Sequence, residues 1–149
     1  MKSRTANEIT ILYAEDDKED QMLVKEALEE SRLLNPIDCV GDGEELMDYL
    51  LHQGKYAGLP PEHRPGLILL DLNMPRMDGR EALTRIKADE DLRRIPVCVL
   101  TTSDAEEDIV KTYNLGVSGY IRKPVTFETM VGIVQTLGKY YFEIVELPN

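Results

Sequence analysis

The sequence predicts an α/β fold in which five parallel strands form a doubly wound sheet of order 2-1-3-4-5. Five short apolar runs alternate along the chain with five segments of helical periodicity, the pattern of repeated strand–helix units. The first, third and fourth runs are continuously apolar, as in strands covered on both faces, whereas the second and fifth contain polar residues. Because mixed strands belong at sheet edges, this pattern favours the order 2-1-3-4-5.

The first strand is predicted at residues 9–14, and the second, an edge strand, at residues 37–40. Asp17 is predicted to cap the helix between them, and the Asn35–Pro36 pair to end that helix. The helix presents one apolar stripe, formed by Leu23, Val24, Ala27 and Leu28.

A second helix follows Asp42, which forms a capping-box-like pair with Glu45. Residues 53–66 contain several Gly and Pro residues and form a loop that is long for a helix-to-strand connection. We interpret this loop as a surface insertion in preference to a functional element. His52 and His63 lie in or beside it and are predicted to be solvated, since no Cys/His cluster indicates a zinc site.

The third strand carries the residue that is predicted to be the chemical centre. Four consecutive aliphatic residues at 67–70 run directly into Asp71, which therefore lies at the carboxyl end of a central strand. Ligands bind at that edge in open α/β sheets. Pro75 ends the strand, and Asp78 with Gly79 begins the third helix.

The last third of the chain repeats the pattern. A fourth apolar strand at residues 97–100 is followed by a helix from Asp104 to near Gly116, and a short fifth strand is predicted at 117–121. Thr126 caps the last helix. Its predicted apolar stripe consists of Phe127, Met130, Val131, Val134 and Leu137.

Composition narrows the class of protein. The chain has 149 residues, 42% hydrophobic and 30% charged, which suits one globular domain. A net charge of −11 would repel phosphate backbones, so nucleic-acid binding is not expected. No apolar stretch reaches the roughly 18 to 20 residues of a membrane span, and no secretory signal is visible, so a cytoplasmic protein is predicted. Cys39 and Cys98 are predicted to be reduced, buried thiols.

Polar residues follow four of the predicted strands. Glu15 and Asp16 follow the first strand, Asp71 ends the third, Thr101 ends the fourth, and Lys123 follows the fifth. All five therefore emerge at one edge of a parallel sheet. Three carboxylates in one crevice repel one another, and Mg²⁺, which prefers oxygen ligands, would relieve that repulsion.

This set of groups suits phosphoryl transfer. With the cation in place, Asp71 could accept a phosphoryl group as an acyl phosphate. The metal, Lys123 and the Thr101 hydroxyl would neutralise or hydrogen-bond the transferred oxygens.

These residues, in this order, resemble the motifs of the two-component response-regulator receiver domain, a flavodoxin-like fold. The resemblance covers residues 8–138, and four motifs at successive strand ends make it specific. The motifs are Glu15-Asp16, Asp71-Leu72-Asn73-Met74-Pro75 with Asp78-Gly79, Leu100-Thr101, and Lys123-Pro124.

The resemblance implies a role for each position. Asp71 is the implied phosphoacceptor, supplied by a phosphohistidine on a sensor histidine kinase. Asp16 is the implied direct metal ligand, Glu15 acts through water, and Asn73 gives its backbone carbonyl to the metal.

The remaining implied roles concern the response to phosphorylation. Thr101 and Tyr120 resemble the switch pair, in which the hydroxyl moves to the phosphoryl oxygen and the aromatic ring turns inward. Lys123 resembles the lysine that contacts the phosphate. The face formed by the fourth helix, fifth strand and fifth helix would then change shape and alter protein–protein contacts.

The long loop before the third strand, the Leu-Thr-Thr-Ser run at residues 100–103 and the extended C-terminus resemble those of stand-alone regulators that partner a phytochrome-type histidine kinase, such as a bacteriophytochrome. Residues 1–7 are interpreted as an N-terminal extension, 8–138 as the receiver domain, and 139–149 as an aromatic C-terminal tail with no output domain. The tail either folds back on its own domain or packs on a second copy; we favour a homodimer through the last helix and the tail.

Two alternatives remain. The first is an interaction module on a receiver fold that works without phosphorylation; the intact acceptor and lysine oppose it. The second is an enzyme on a similar sheet. A flavin-binding protein needs a phosphate loop where this chain has carboxylates, and a haloacid-type phosphatase needs an aspartate where Asn73 stands. Turnover of an external substrate is therefore not expected.

Overall fold

The computed structural model describes residues 9–33, 35–101, 114, 116–123 and 126–137, and within these ranges it contains five strands, four α-helices and two short 3-10 helices. The strands are β1 (Ile11–Ala14), β2 (Ile37–Val40), β3 (Leu67–Asp71), β4 (Val97–Thr101) and β5 (Gly119–Arg122). The helices are α1 (Lys18–Glu30), α2 (Gly43–Leu51), α3 (Gly79–Ala88) and α4 (Phe127–Leu137). None of these helices is long and apolar enough to cross a membrane.

The sheet has the order β2-β1-β3-β4-β5 with all neighbours parallel, which confirms the predicted topology. β3 is central: its Leu70 is in register with Ala14 of β1, and its Asp71 with Leu100 of β4. β1, β3 and β4 are buried throughout, while β2 and β5 are half-exposed edges. The expected helix from Asp104 to Gly116 lies almost wholly outside the described residues.

Two apolar clusters cover the two faces of the sheet. Successive residues of a strand point to opposite faces, so Leu12 joins the cluster under α2 and α3 while Ile11 joins the one under α1 and α4. The same alternation places Ile68 in the first cluster and Leu69 in the second. The continuously apolar strands of the sequence are therefore strands that supply a core on each side.

Each predicted helix cap within the described residues is present. The Asp17 carboxylate accepts from the backbone N–H of Glu19 at 2.8 Å and Asp78 from that of Glu81 at 3.0 Å. Similar bonds run from Glu45 N–H to Asp42 Oδ1 at 2.7 Å and from Thr129 N–H to Thr126 Oγ1 at 3.1 Å. In α2 the reciprocal bond differs from a capping box, because the Glu45 carboxylate accepts from Gly41 N–H, one residue before the cap.

Some predicted boundaries were wrong. α1 ends at Glu30, well before the Asn35–Pro36 pair, because Arg32 takes a left-handed conformation with φ of 58° and Leu33 N–H bonds back to Leu28. β1 and β5 each begin two residues later than expected. The predicted stripe of α4 is correct at Met130 and Val134, which are buried, but the Phe127 side chain is 38% exposed.

The prediction of two solvated histidines was also wrong. Tyr49 donates its hydroxyl proton to Asp38 at 2.6 Å and lies 2.8 Å from His63 Nε2, while His52 Nε2 lies 3.0 Å from the carbonyl of His63. The 53–66 loop is therefore tied to α2 and β2 by a polar network. Cys98 is a buried free thiol, as predicted, but the prediction that Cys39 is buried was wrong: it lies on the edge strand β2 and is half-buried.

Candidate functional site

The carboxyl ends of the strands bring the predicted site residues to one edge of the sheet. Asp71 and Thr101 are the last residues of β3 and β4, and Glu15 and Lys123 follow β1 and β5 directly. The parallel ladder continues into these positions, since Glu15 N–H donates to Val40 O at 2.9 Å and Lys123 N–H to Thr101 O at 2.8 Å. Backbone pairing thus fixes where each side chain enters the site.

Three carboxylates meet there. Glu15, Asp16 and Asp71 each offer one oxygen, and these oxygens lie within 4.8 Å of one another. Glu15 is fully buried and Asp71 is 3% exposed, whereas Asp16 is exposed and opens the cluster to solvent. Hard oxygen donors at this spacing, with one side open to water, fit a divalent cation that keeps part of its water shell.

Lys123 is the cation at the centre of this site. Its Nζ lies 2.6 Å from Glu15 Oε1, 2.7 Å from Asp20 Oδ2 and 3.3 Å from Asp71 Oδ2. Burial lowers the pKa of Lys123, but the bonds to Asp20 and Glu15 outweigh burial, so the pKa lies above its ordinary value. The ammonium therefore stays charged among these carboxylates.

One ammonium does not compensate for every buried carboxylate. Burial, followed by the hydrogen bond with Asp71, raises the pKa of Glu15 to about 8, although Lys123 opposes this shift. The Tyr13 hydroxyl donates a hydrogen bond to Oε1 of the same carboxylate at 3.1 Å. Glu15 therefore holds a proton more tightly than an ordinary glutamate, as expected for a group whose charge a metal would stabilise.

Asn73 connects the acceptor strand to its neighbour. Its backbone N–H donates to Asp71 Oδ1 at 2.9 Å, and its side-chain amide donates to Thr101 Oγ1 at 3.1 Å. Thr101 is fully buried, and Tyr120 on β5 is half-buried against the α2–α3 side of the core. The bond between Asn73 and Thr101 was not predicted from the sequence.

Gly79 allows α3 to start against the acceptor. A Cβ atom at this position would lie 2.5 Å from the carbonyl oxygen of Asp71 and 2.5 Å from Leu72 Cα. Both are backbone atoms, so any larger residue would displace either the helix or the strand end. The Asp78-Gly79 turn predicted from the sequence thus has a steric reason as well as a capping one.

Sequence reasoning missed two residues of α1. Asp20 contacts Lys123, and Gln21 is buried and donates from Nε2 to the backbone carbonyl of Glu15 at 2.6 Å. A signal for Gln21 was present, because it stands three residues before Val24 and seven before Leu28 and so lies on the apolar stripe. A polar residue on a buried stripe indicates a specific hydrogen bond.

Comparison with known proteins places this site in a family. The model of the response regulator receiver domain matches residues 11–135. This chain belongs to the response regulator receiver domain family. The receiver domain is a phosphorylation-based two-component signalling protein related to phytochrome response regulators, and it is not a metabolic enzyme.

Three relatives of this chain are similar to it over nearly their whole length. Response regulator Rcp1 of Synechocystis sp. is 44% identical over 138 residues, which cover 93% of this chain and 92% of Rcp1. The solved structure of the phosphorylated cyanobacterial phytochrome response regulator RcpA is 42% identical, with a TM-score of 0.84 over 95% of this chain and 99% of that one. The Mn²⁺-bound form of Rcp1 has the same identity and coverage and a TM-score of 0.83.

Proposed function

We propose that Asp71 is the phosphoacceptor of a two-component phosphorelay and receives its phosphoryl group from a histidine kinase. The observation that carries this proposal is the setting of its carboxylate. Asp71 ends the central strand, accepts from Asn73 N–H through Oδ1, and faces the Lys123 ammonium through Oδ2. One carboxylate is thus held between a fixed donor and a fixed cation at the binding edge of the sheet.

The transfer step follows from these contacts. A carboxylate oxygen of Asp71 attacks the phosphorus of a phosphohistidine, and the P–N bond breaks as the P–O bond forms. The electron pair returns to the imidazole nitrogen, which takes a proton. Lys123 neutralises charge on the transferred oxygens, and the Thr101 hydroxyl, released from Asn73, hydrogen-bonds one of them.

The proposed metal is Mg²⁺, held by Asp16 and Asp71 directly, by the backbone carbonyl of Asn73, and by Glu15 through water. When bound, the ion supplies positive charge for the phosphoryl oxygens. The cluster of Glu15, Asp16 and Asp71 supports a divalent cation, as does the Mn²⁺-bound structure of the relative Rcp1.

The acyl phosphate is proposed to be transient and to act by changing the shape of the protein surface. Water attacks the phosphorus, the bond to Asp71 breaks, and inorganic phosphate leaves, so the receiver domain assists its own dephosphorylation and turns over no external substrate. While Asp71 is phosphorylated, Thr101 and Tyr120 shift together and alter the surface beside β5.

Partners are proposed from the relatives and from the surface. The similarity to phytochrome response regulators supports a phytochrome-type histidine kinase as the partner, and we propose a cytoplasmic location for both. A net charge of −11 favours protein partners over nucleic acid. The proposed receiver domain spans residues 8–138, flanked by an N-terminal extension at 1–7 and by the aromatic tail at 139–149. Homodimerisation through α4 and this tail is supported by an apolar groove of about 610 Å³ between β5 and α4.

The acceptor is tested by phosphorylation in vitro. The wild type, Asp71→Asn and the control Asp91→Asn, an exposed aspartate outside the site, are incubated with Mg²⁺ and acetyl phosphate. Intact-mass measurement should show one added phosphoryl group on the wild type and on Asp91→Asn, and none on Asp71→Asn. Chelation of Mg²⁺ should abolish the gain.

The other outcomes are informative. A gain that persists in Asp71→Asn would show that another residue is the acceptor. No gain on the wild type, from either acetyl phosphate or a phosphorylated kinase, would favour the interaction module that works without phosphorylation.

A further inference from the structure

The carboxylates around Lys123 differ in their distance from its ammonium, which bears on how readily Lys123 can contact a phosphoryl group. Its ammonium lies closer to Glu15 and Asp20, at 2.6 and 2.7 Å, than to Asp71, at 3.3 Å. An ammonium has three protons, so these three carboxylates account for its full donor capacity. A phosphoryl group on Asp71 would bring further acceptor oxygens, and Lys123 could reach them only by releasing or sharing a present partner.

Asp20 differs from the other two partners. It lies in the first turn of α1, where Asp17 supplies the cap, so the Asp20 carboxylate remains available to Lys123. Its side chain is 32% exposed, compared with 1% for Glu15 and 4% for Asp71. Asp20 is also outside the carboxylate cluster suited to a metal, so among the described residues Lys123 would remain the cation paired with it after a metal binds.

We propose that Asp20 is a positioning residue that competes with the phosphoryl group for the Lys123 ammonium and so limits the phosphorylated population. This inference rests on the proposed acceptor role of Asp71. Two effects of the Asp20 charge act in the same direction: it holds the ammonium toward α1, and it repels an anionic phosphoryl group arriving at the open side of the site. Its partial exposure allows water to solvate it once Lys123 leaves, so the competition can be reversed.

The magnitude follows from that exposure. A partly solvated ion pair is weak, so removal of the Asp20 charge should tighten binding of a phosphoryl analogue by about 2- to 5-fold. Asp20→Asn removes the charge with little change of shape, and Asp20→Glu retains it. Glu19→Gln is the matched control, since it removes one charge from the neighbouring, exposed position of the same helical turn.

The test measures the apparent dissociation constant of beryllium fluoride with Mg²⁺ for the wild type and the three variants. The steady-state phosphorylated fraction with acetyl phosphate is measured in parallel. A third readout uses the metal-free protein: the hydrogen-exchange rate of the Lys123 ammonium by NMR, which a merely structural role of Asp20 would not change. Thermal unfolding checks that each variant is folded.

The proposal expects tighter beryllium fluoride binding, a larger phosphorylated fraction and faster Lys123 exchange in Asp20→Asn alone. Asp20→Glu should remain near the wild type. Equal values for Asp20→Asn and Glu19→Gln, in a protein that is phosphorylated on Asp71, would overturn this inference and leave the acceptor role intact. Failure of the wild type to take up either the phosphoryl group or beryllium fluoride would overturn both.

Discussion

At the scale of single residues, the site is built from charges that the fold leaves incompletely compensated. Glu15 is fully buried, and burial with its neighbour Asp71 raises its pKa to about 8. A buried carboxylate costs free energy unless it is paired, and here one ammonium is shared. Additional positive charge would therefore stabilise this site, and a divalent cation can supply it.

Magnesium should therefore stabilise the folded protein. We expect MgCl₂ to raise the midpoint of thermal unfolding by roughly 2–6 °C relative to NaCl of equal ionic strength, because a ligand that binds the native state stabilises it by mass action. Glu15→Gln should show a smaller rise, since one carboxylate is lost. Glu26→Gln, at an exposed position of α1, should behave as the wild type. Identical shifts in both variants would exclude Glu15 from the metal site.

At the scale of elements, α2 and the 53–66 loop form one unit. Glu45 in the first turn of α2 receives Lys55 Nζ at 2.8 Å and the Tyr56 hydroxyl at 2.5 Å. The rings of Tyr49 and Tyr56 meet edge to face at 5.0 Å. These contacts explain how a long loop stays ordered, and they favour a docked loop over a freely tolerated insertion.

Glu45 should govern part of the acid sensitivity. Burial alone would raise its pKa, but bonds from Lys55, Tyr56 and Gly41 N–H lower it to about 2 from 4.5. A lowered carboxylate pKa gives stability that is complete above about pH 4.5 and is lost as the pH falls toward 2. Glu45→Gln should lower the free energy of unfolding by about 1–3 kcal/mol at neutral pH. The variant should also lose less stability than the wild type as the pH falls toward 2.

Denaturant unfolding of Glu45→Gln across pH 2 to 7 checks the expectation, with Glu44→Gln as the control. The Glu44 side chain is 59% exposed and carries the same charge. If the two variants lose equal stability at neutral pH and show the same loss of stability at low pH, the loop contacts of Glu45 make no measurable contribution to the free energy of unfolding.

At the scale of the whole molecule, the described residues form an apolar groove at the β5 edge of the sheet, where the homodimer is proposed to assemble. Ile121, Ile133 and Leu137 line the groove between β5 and α4, and they are partly buried against the α1 side of the core. Apolar side chains at an open edge favour association with another surface. This edge adjoins Lys123, which directly follows β5, so under the proposed function a change at Asp71 would reach the groove through the β5 backbone.

A charge in the groove should therefore disrupt the proposed homodimer. Ile133→Asp is expected to shift the mass measured by light scattering from dimer to monomer, because an unpaired carboxylate would be buried at the interface. Gln135→Asp, at an exposed position of the same helix, should leave the dimer intact. A monomeric wild type, with or without phosphorylation, would contradict the dimer itself.

The topology and the positions of the main charged residues could be predicted because they follow from local pattern. Continuous apolar runs identify β1, β3 and β4 as internal strands, and a residue at a strand end must emerge at a known edge. That reasoning located Asp71, Thr101 and Lys123 without any knowledge of side-chain contacts. It failed at boundaries such as the end of α1, where the left-handed Arg32 closes the helix.

Contacts between distant segments could not be predicted from the pattern of apolar and polar residues in the sequence. The ion pair of Asp20 with Lys123, the bond of Asn73 to Thr101, and the tyrosine–histidine network of the loop join parts of the chain that share no periodicity. Which of several carboxylates approaches an ammonium depends on strand register and on helix rotation, each set by packing over the whole core. The amino-acid order thus specifies the sheet and the chemistry at its edge, while three-dimensional packing selects the partners that tune that chemistry.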